Sequence, residues 1–263
     1  MSRVVDRAPS RLNPRYAEWM KPFLLVATRF DDAIADAEFE SFWRLSGLRE
    51  DQLARVRAEQ GPMEPIDLRD YSGIIIGGGP FNASDPYETK TAVQRRVERE
   101  IGELVERVVA ADFPLFGACY GVGTVATRLG AQVDRTFGEP VGAVTIEVSD
   151  EGRVDPLLAG LPRTFDAFVG HKEACRTLPP GATWLASSMT CPVQMFRYQN
   201  NQYVTQFHPE LDSQGFAQRI AAYRDEGYFD PAEIDEVIAR VKSATVDVPR
   251  HILARFAQRY ATD

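Results

Sequence analysis

Two hydrophobic periods alternate along this chain. Phe23 to Ala27 and Gly73 to Gly77 are short, unbroken apolar runs, which predict strands buried on both faces. Between them, Asp36 to Leu45 carries Phe39, Phe42 and Trp43 on one face and predicts a helix, and Ile66 to Leu68 predicts a short strand. From Glu88 to Ala110 the apolar residues Val93, Val97, Ile101, Leu104, Val105 and Val108 recur at spacings of three and four, the pattern of a long amphipathic helix. Phe113 to Gly117 is the next strand, and Val122 to Leu129 the helix behind it. Strands alternating with helices imply an α/β fold: an open, mostly parallel twisted sheet with helices on both faces. In such sheets ligands bind beyond the carboxyl ends of the strands.

The second half changes character. Residues 131 to 206 are strand-rich, with Ala143 to Val148 alternating, Asp155 to Pro162 resembling a short helix and turn, and Gln202 to Thr205 a short strand. Helical spacing then returns. Asp230-Pro231-Ala232-Glu233 is a helix start with an acidic cap and Pro at the first helical position, followed by Ile234, Val237, Ile238 and Val241. A further helix begins near Pro249, striped by Ile252, Leu253, Phe256 and Tyr260. The expected organisation is one domain over residues 1–226, opened by an irregular arm (1–22), with a C-terminal helical extension over 227–263. Those last helices either pack on the core or offer a homodimer or partner surface.

Bulk properties narrow the function. With 263 residues the chain can bury a full core, and 44% hydrophobic and 26% charged residues are ordinary for a globular protein. A net charge of -8 argues against a nucleic-acid groove. No apolar run reaches membrane-spanning length, and Met1 to Lys21 has no signal-like apolar stretch, so no membrane association is expected. Three cysteines without a C-x-x-C pair suggest neither a disulfide framework nor a zinc site, and the expected compartment is the cytoplasm.

Chemistry concentrates in three places. Gly117-Ala118-Cys119-Tyr120-Gly121 puts a Cys at a strand-to-helix turn between two glycines, the pattern of a nucleophile elbow. Its sulfur would project from the carboxyl edge of the sheet at a helix N-terminus, which favours thiolate. The overlapping Gly121-Val122-Gly123-Thr124-Val125-Ala126 also fits a dinucleotide fingerprint, which leaves a nicotinamide-binding reading open. Far down the chain, Gln206-Phe207-His208-Pro209-Glu210 supplies a base and an orienting acid two residues apart, what a thiolate nucleophile needs. Third, Ile76-Gly77-Gly78-Gly79-Pro80 runs a strand into a turn whose N–H groups can face an oxyanion.

In this order the motifs resemble those of class I glutamine amidotransferases, over about Phe23 to Asp212. The resemblance implies a flavodoxin-like amidotransferase fold, Cys119 as nucleophile, His208 as general base and acid, Glu210 as its partner, and an oxyanion hole from the N–H groups of Gly79 and Tyr120. Val169-Gly170-His171-Lys172-Glu173 is similar to the family's substrate-binding stretch, and Thr190 to Phe196 to its GMP-synthase-like branch. Pro80, Gly123, Gly170 and His171 are then the expected substrate contacts. The family often has Gln where this chain has Gly123, which puts the identity of the substrate in question. The implied ligand is glutamine or another γ-glutamyl compound, with no cofactor or metal. The ammonia would pass to a separate synthetase subunit, or the chain would work alone as a hydrolase. A non-catalytic metabolite-binding homologue is the remaining alternative.

Overall fold

A computed structural model describes residues 20–223 and 231–262. The strands are β1 (Phe23–Ala27), β2 (Leu53–Arg57), β3 (Gly73–Ile76), β4 (Leu115–Ala118), β5 (Val133–Asp134), β6 (Glu139–Val148), β7 (Thr164–His171), β8 (Ala174–Cys175), β9 (Ala182–Ser188), β10 (Met195–Tyr198) and β11 (Gln202–Thr205). The α-helices are α1 (Asp32–Ser46), α2 (Ala92–Ala110), α3 (Tyr120–Arg128), α4 (Asp150–Val154), α5 (Ser213–Ala222), α6 (Ile234–Ser243) and α7 (Val248–Tyr260).

Nine strands form one sheet in the order β2-β1-β3-β4-β11-β10-β9-β6-β7. From β2 to β11 all neighbours are parallel, and from β11 to β7 all are antiparallel. The two halves reflect their sequences. β1, β3 and β4 are buried throughout, whereas β6 alternates buried and exposed positions. Alternate residues of the parallel strands feed two cores. Leu24, Val26, Ile74, Ile76 and Val204 pack against α2 and α3. Phe23, Leu25, Ile75, Phe116 and Tyr203 share the opposite core with α7 and with Phe42 of α1. A third cluster joins α5 and α6 to Val141 of β6 and Phe168 of β7. Among the described residues no helix is long and apolar enough to cross a membrane.

Several boundaries differ from expectation. Helix α1 starts at Asp32 because the Asp31 carboxylate accepts the N–H of Ile34. Helix α2 starts at Ala92, capped by the Thr91 hydroxyl, after a 3₁₀ turn over Tyr87–Thr89. The expected strand at Ile66 to Leu68 is absent; Leu68–Asp70 is a 3₁₀ turn, and the strand in this region is β2. The helix expected within Asp155 to Pro162 lies earlier, as α4 under a Ser149 cap, and Asp155 itself ends it. Asp230 and the boundary near residue 226 lie outside the described residues, as does most of the arm over 1–22.

Candidate active site

The elbow forms where β4 meets α3. Cys119 has φ 53° and ψ -95°, a strained conformation for a non-glycine residue, held by its N–H donating to Thr205 O at 2.8 Å and its carbonyl accepting from Val122 N at 2.8 Å. The flanking glycines sit in tight contact. A Cβ on Gly117 would lie 3.2 Å from the Gly121 backbone, and one on Gly121 would lie 3.1 Å from Ile76 O. Cys119 is also the N-cap of α3, so its sulfur sits at the positive end of a helix. Helix α3 already begins at Tyr120, so Gly121 and Gly123 lie inside the helix rather than in the turn before it. That placement removes the dinucleotide fingerprint, which needs its first glycine in the turn before the helix.

His208 and Glu210 follow β11, the parallel neighbour of β4. The His208 N–H donates to Phe168 O at 2.9 Å, and its ring Nδ1 pairs with Glu210 Oε1 at 2.8 Å. Both residues are buried. Burial works against a charged His208, but the charge of Glu210, the charge of Cys119 and hydrogen bonds with both outweigh it and raise the imidazole to about 9. Burial would likewise raise the Glu210 carboxyl; the charge and hydrogen bond of His208 and the charge of Arg219 overcome this and hold it at about 2.

A chain of buried charges backs this pair. Arg219 of α5 donates to Glu210 Oε1 at 3.0 Å and lies 3.7 Å from Glu38 of α1; Glu38 in turn accepts from Arg29 at 3.0 Å. Arg29 also donates to the Tyr223 hydroxyl at 2.9 Å. Burial disfavours its charge, but Glu38 and Tyr223 more than compensate and raise it. Sequence reasoning missed Arg29, Glu38, Arg219 and Tyr223, because no local motif connects them.

Gly79, Cys119, Tyr120, Gly123, Gly170 and His171 line one cleft, together with Glu173 and Gln206. Thr28 Oγ1 occupies the space a side chain on Gly79 would need. The Tyr120 N–H is the first of α3 and has no acceptor within the helix. Pro80 is not among the lining residues, although Phe81 and Asn82 after it are. A Cβ on Gly123 would sit 2.6 Å from Glu173 Oε1. The Glu173 carboxylate fills that volume and accepts the N–H groups of Ala83 and Ser84 at 2.7 Å each. Gly123 therefore makes room for Glu173 rather than enlarging the cleft.

The His171 ring has a partner on each nitrogen. Its Nε2 pairs with Glu139 Oε2 at 2.8 Å and its Nδ1 with Glu173 O at 2.9 Å. Glu139, His171 and Cys191 bring ligand-type atoms within 4.8 Å of one another. Glu139 also accepts from Ser188 at 2.9 Å, from Gln194 at 2.6 Å and from Thr190. Burial pushes the Cys191 thiol up to about 12. A carboxylate saturated by donors beside a protonated thiol is a structural bolt, not a prepared metal site.

A doubly wound sheet with a strained Cys at its elbow, facing a His–carboxylate pair, has the architecture of cysteine-nucleophile amidotransferases. Residues 48–223 match the family model described as glutamine amidotransferase class-I, and the chain belongs to that family. It is accordingly an enzyme acting on C–N bonds. It is 29% identical over 159 residues to the glutamine-hydrolyzing GMP synthase subunit of Thermoplasma volcanium, a match covering 60% of this chain and 72% of that protein. It is 32% identical over 160 residues to the glutamine-hydrolyzing GMP synthase of Streptomyces avermitilis, where the match covers 60% of this chain but only 28% of the relative. The solved glutamine amidotransferase of Thermotoga maritima shares the fold, with TM-score 0.70, 22% identity and coverage of 91% of this chain and 98% of that one.

Proposed function

We propose that this enzyme hydrolyses a γ-glutamyl amide, of which glutamine is the simplest, through Cys119, His208 and Glu210. The observation that carries the reading is a strained cysteine at a helix N-terminus, in contact with a buried imidazole that a buried carboxylate orients. His208 takes the Cys119 proton, and Sγ attacks the γ-carbonyl carbon. The N–H groups of Gly79 and Tyr120 stabilise the oxyanion. The C–N bond breaks as His208 protonates the leaving nitrogen, and a γ-glutamyl thioester remains. Water then attacks the thioester with His208 as base; glutamate leaves, and the proton returns to sulfur. Glu210 keeps Nδ1 engaged, so Nε2 is the atom that exchanges protons with sulfur and substrate.

Glutamate release from glutamine and from substituted γ-glutamyl amides tests this. Cys119→Ala should lower turnover by at least about a thousandfold, the scale of losing a covalent nucleophile, while circular dichroism and Tm stay close to the parent. Unchanged turnover in that variant would reject the assignment. The relatives that are GMP synthase subunits suggest a second arm, in which ammonia is delivered to a separate synthetase. It predicts that glutamine hydrolysis rises severalfold when such a synthetase is added.

A further inference from the structure

The cleft divides at Cys119 into two sides of different chemistry. On one side lie Tyr120, with its oxyanion-type N–H, and the polar groups of Asn82, Lys172, Glu173 and Gln206. On the other lies His208, with Val141, Phe216, Ile220, Arg29, Arg219 and Tyr223. Cys119, Gly79 and Gly170 border both sides. A γ-glutamyl group carries an α-ammonium and an α-carboxylate, so it belongs on the polar side. The leaving nitrogen must receive its proton from His208, so whatever it carries points to the other side. Ammonia needs no subsite there, yet the cleft continues past His208 as a shallow, open-mouthed depression with a mostly apolar lining.

The charges on that wall decide what it accepts. Arg29 is bound to Glu38 and Tyr223, and Arg219 to Glu210 and Glu38. Two guanidinium groups of the wall are thus matched by two carboxylates buried directly behind it. An incoming carboxylate would be desolvated beside arginines whose charges Glu38 and Glu210 already neutralise from behind. The faces left for a ligand are the Phe216 ring, the Val141 and Ile220 side chains, and the flat Arg29–Tyr223 pair, whose guanidinium lies 5.4 Å from the ring centroid. Such a surface suits alkyl and aryl groups.

We infer that the His208 side of the cleft is a leaving-group subsite for a neutral, apolar primary amine, so that the preferred substrate is the γ-glutamyl amide of an alkyl- or arylalkylamine. This rests on the proposed γ-glutamyl hydrolysis and deepens it. The reaction balances as before: the C–N bond breaks, the amine leaves with the proton from His208, and water completes glutamate release.

The test compares kcat/KM of the full-length enzyme on glutamine, γ-glutamyl-butylamide, γ-glutamyl-phenethylamide and γ-glutamyl-phenylalanine. The last two differ by one carboxylate on the same arylalkyl body. The expected order is phenethylamide, then butylamide, then glutamine, with steps of about tenfold, and a fall of about tenfold or more when the carboxylate is added. Val141→Phe should lower the ratio of phenethylamide to glutamine turnover. As a measurement independent of that variant, 2-phenylethanol, an uncharged isostere of the leaving amine, which itself would be an ammonium ion in solution, should inhibit glutamate release competitively, and phenylalanine should not. Glutamine as the best substrate, with the amides turned over poorly, overturns this inference and leaves γ-glutamyl hydrolysis standing; so does a preference for γ-glutamyl-phenylalanine. Silence of the parent enzyme on all four compounds rejects both.

Discussion

Cys119 and its two fellow cysteines differ in place rather than in kind. Burial pushes the thiols of Cys175 and Cys191 up to about 11 and about 12, whereas Cys119 is partly exposed at the start of a helix, beside His208. His208 and Glu210 make a pair whose stability contribution has a definite pH window. Glu210 is lowered from 4.5 to about 2, so its contribution is complete above 4.5 and lost as pH falls through about 2. His208 is raised from 6.5 to about 9, so its contribution is complete below 6.5 and lost as pH rises through about 9. The Tm difference between parent and Glu210→Gln should therefore be largest between pH 4.5 and 6.5 and shrink on either side. A difference independent of pH would contradict the pairing. Cys119, His208 and Glu210 could be read from sequence because each lies in a short motif at the end of a strand, where spacing fixes direction. Arg29, Glu38 and Arg219 could not: nine residues separate Arg29 from Glu38 and another nine separate Glu210 from Arg219, and only the fold brings the two pairs together.

At the scale of elements, turns position the chemistry and are themselves bolted down. The end of β7 and the turn to β8 supply Gly170 and Glu173 to the cleft, and His171 anchors them by reaching back to Glu139 at the start of β6. His171→Ala would remove one partner from the buried Glu139 carboxylate and free the Glu173 carbonyl. The expected cost is about 1–3 kcal/mol of stability. Because both ring nitrogens are engaged by Glu139 and Glu173, KM should rise more than kcat falls; a collapse of kcat at unchanged KM would instead make His171 a participant in the chemistry. Helices and buried strands of the parallel half were legible, since their periods are unmixed. Strand β2 was not, because its Leu-Ala-Arg-Val-Arg sequence sits at the sheet edge, where Arg55 and Arg57 pair with Asp36 and Asp32 of α1. Ile66 misled for the converse reason: it is buried, but from a loop, under α2, whose Arg107 binds its carbonyl. The helix starts were set by caps at Asp31, Thr91 and Ser149 that lie just outside the apolar stripes.

For the molecule as a whole, the sheet needs cover on both faces, and the end of the chain provides part of it. Periodicity identified α7 as amphipathic but could not say which surface it meets, since a stripe of Ile252, Leu253, Phe256 and Tyr260 fits a core, a partner or a second copy equally well. In the structure Phe256 packs against Phe23 of β1 at 5.9 Å, Phe116 of β4 at 5.3 Å and Tyr203 of β11 at 6.4 Å between ring centroids. Two of these strands, β4 and β11, carry Cys119 and His208 beyond their ends, so α7 packs against the strands that lead into the site. Truncating Phe256 to Ala should cost about 3–5 kcal/mol. For a chain of this size each kcal/mol lowers Tm by about 2–4 °C, which gives a fall of roughly 6–20 °C. Below the new transition, turnover per folded molecule should stay within a few-fold of the parent, because the strand ends are still set by the sheet's own hydrogen bonds. A Tm change under about 2 °C would mean that α7 rests on the sheet without stabilising it, whereas loss of turnover in fully folded protein would mean that packing under β4 and β11 controls how closely Cys119 and His208 meet.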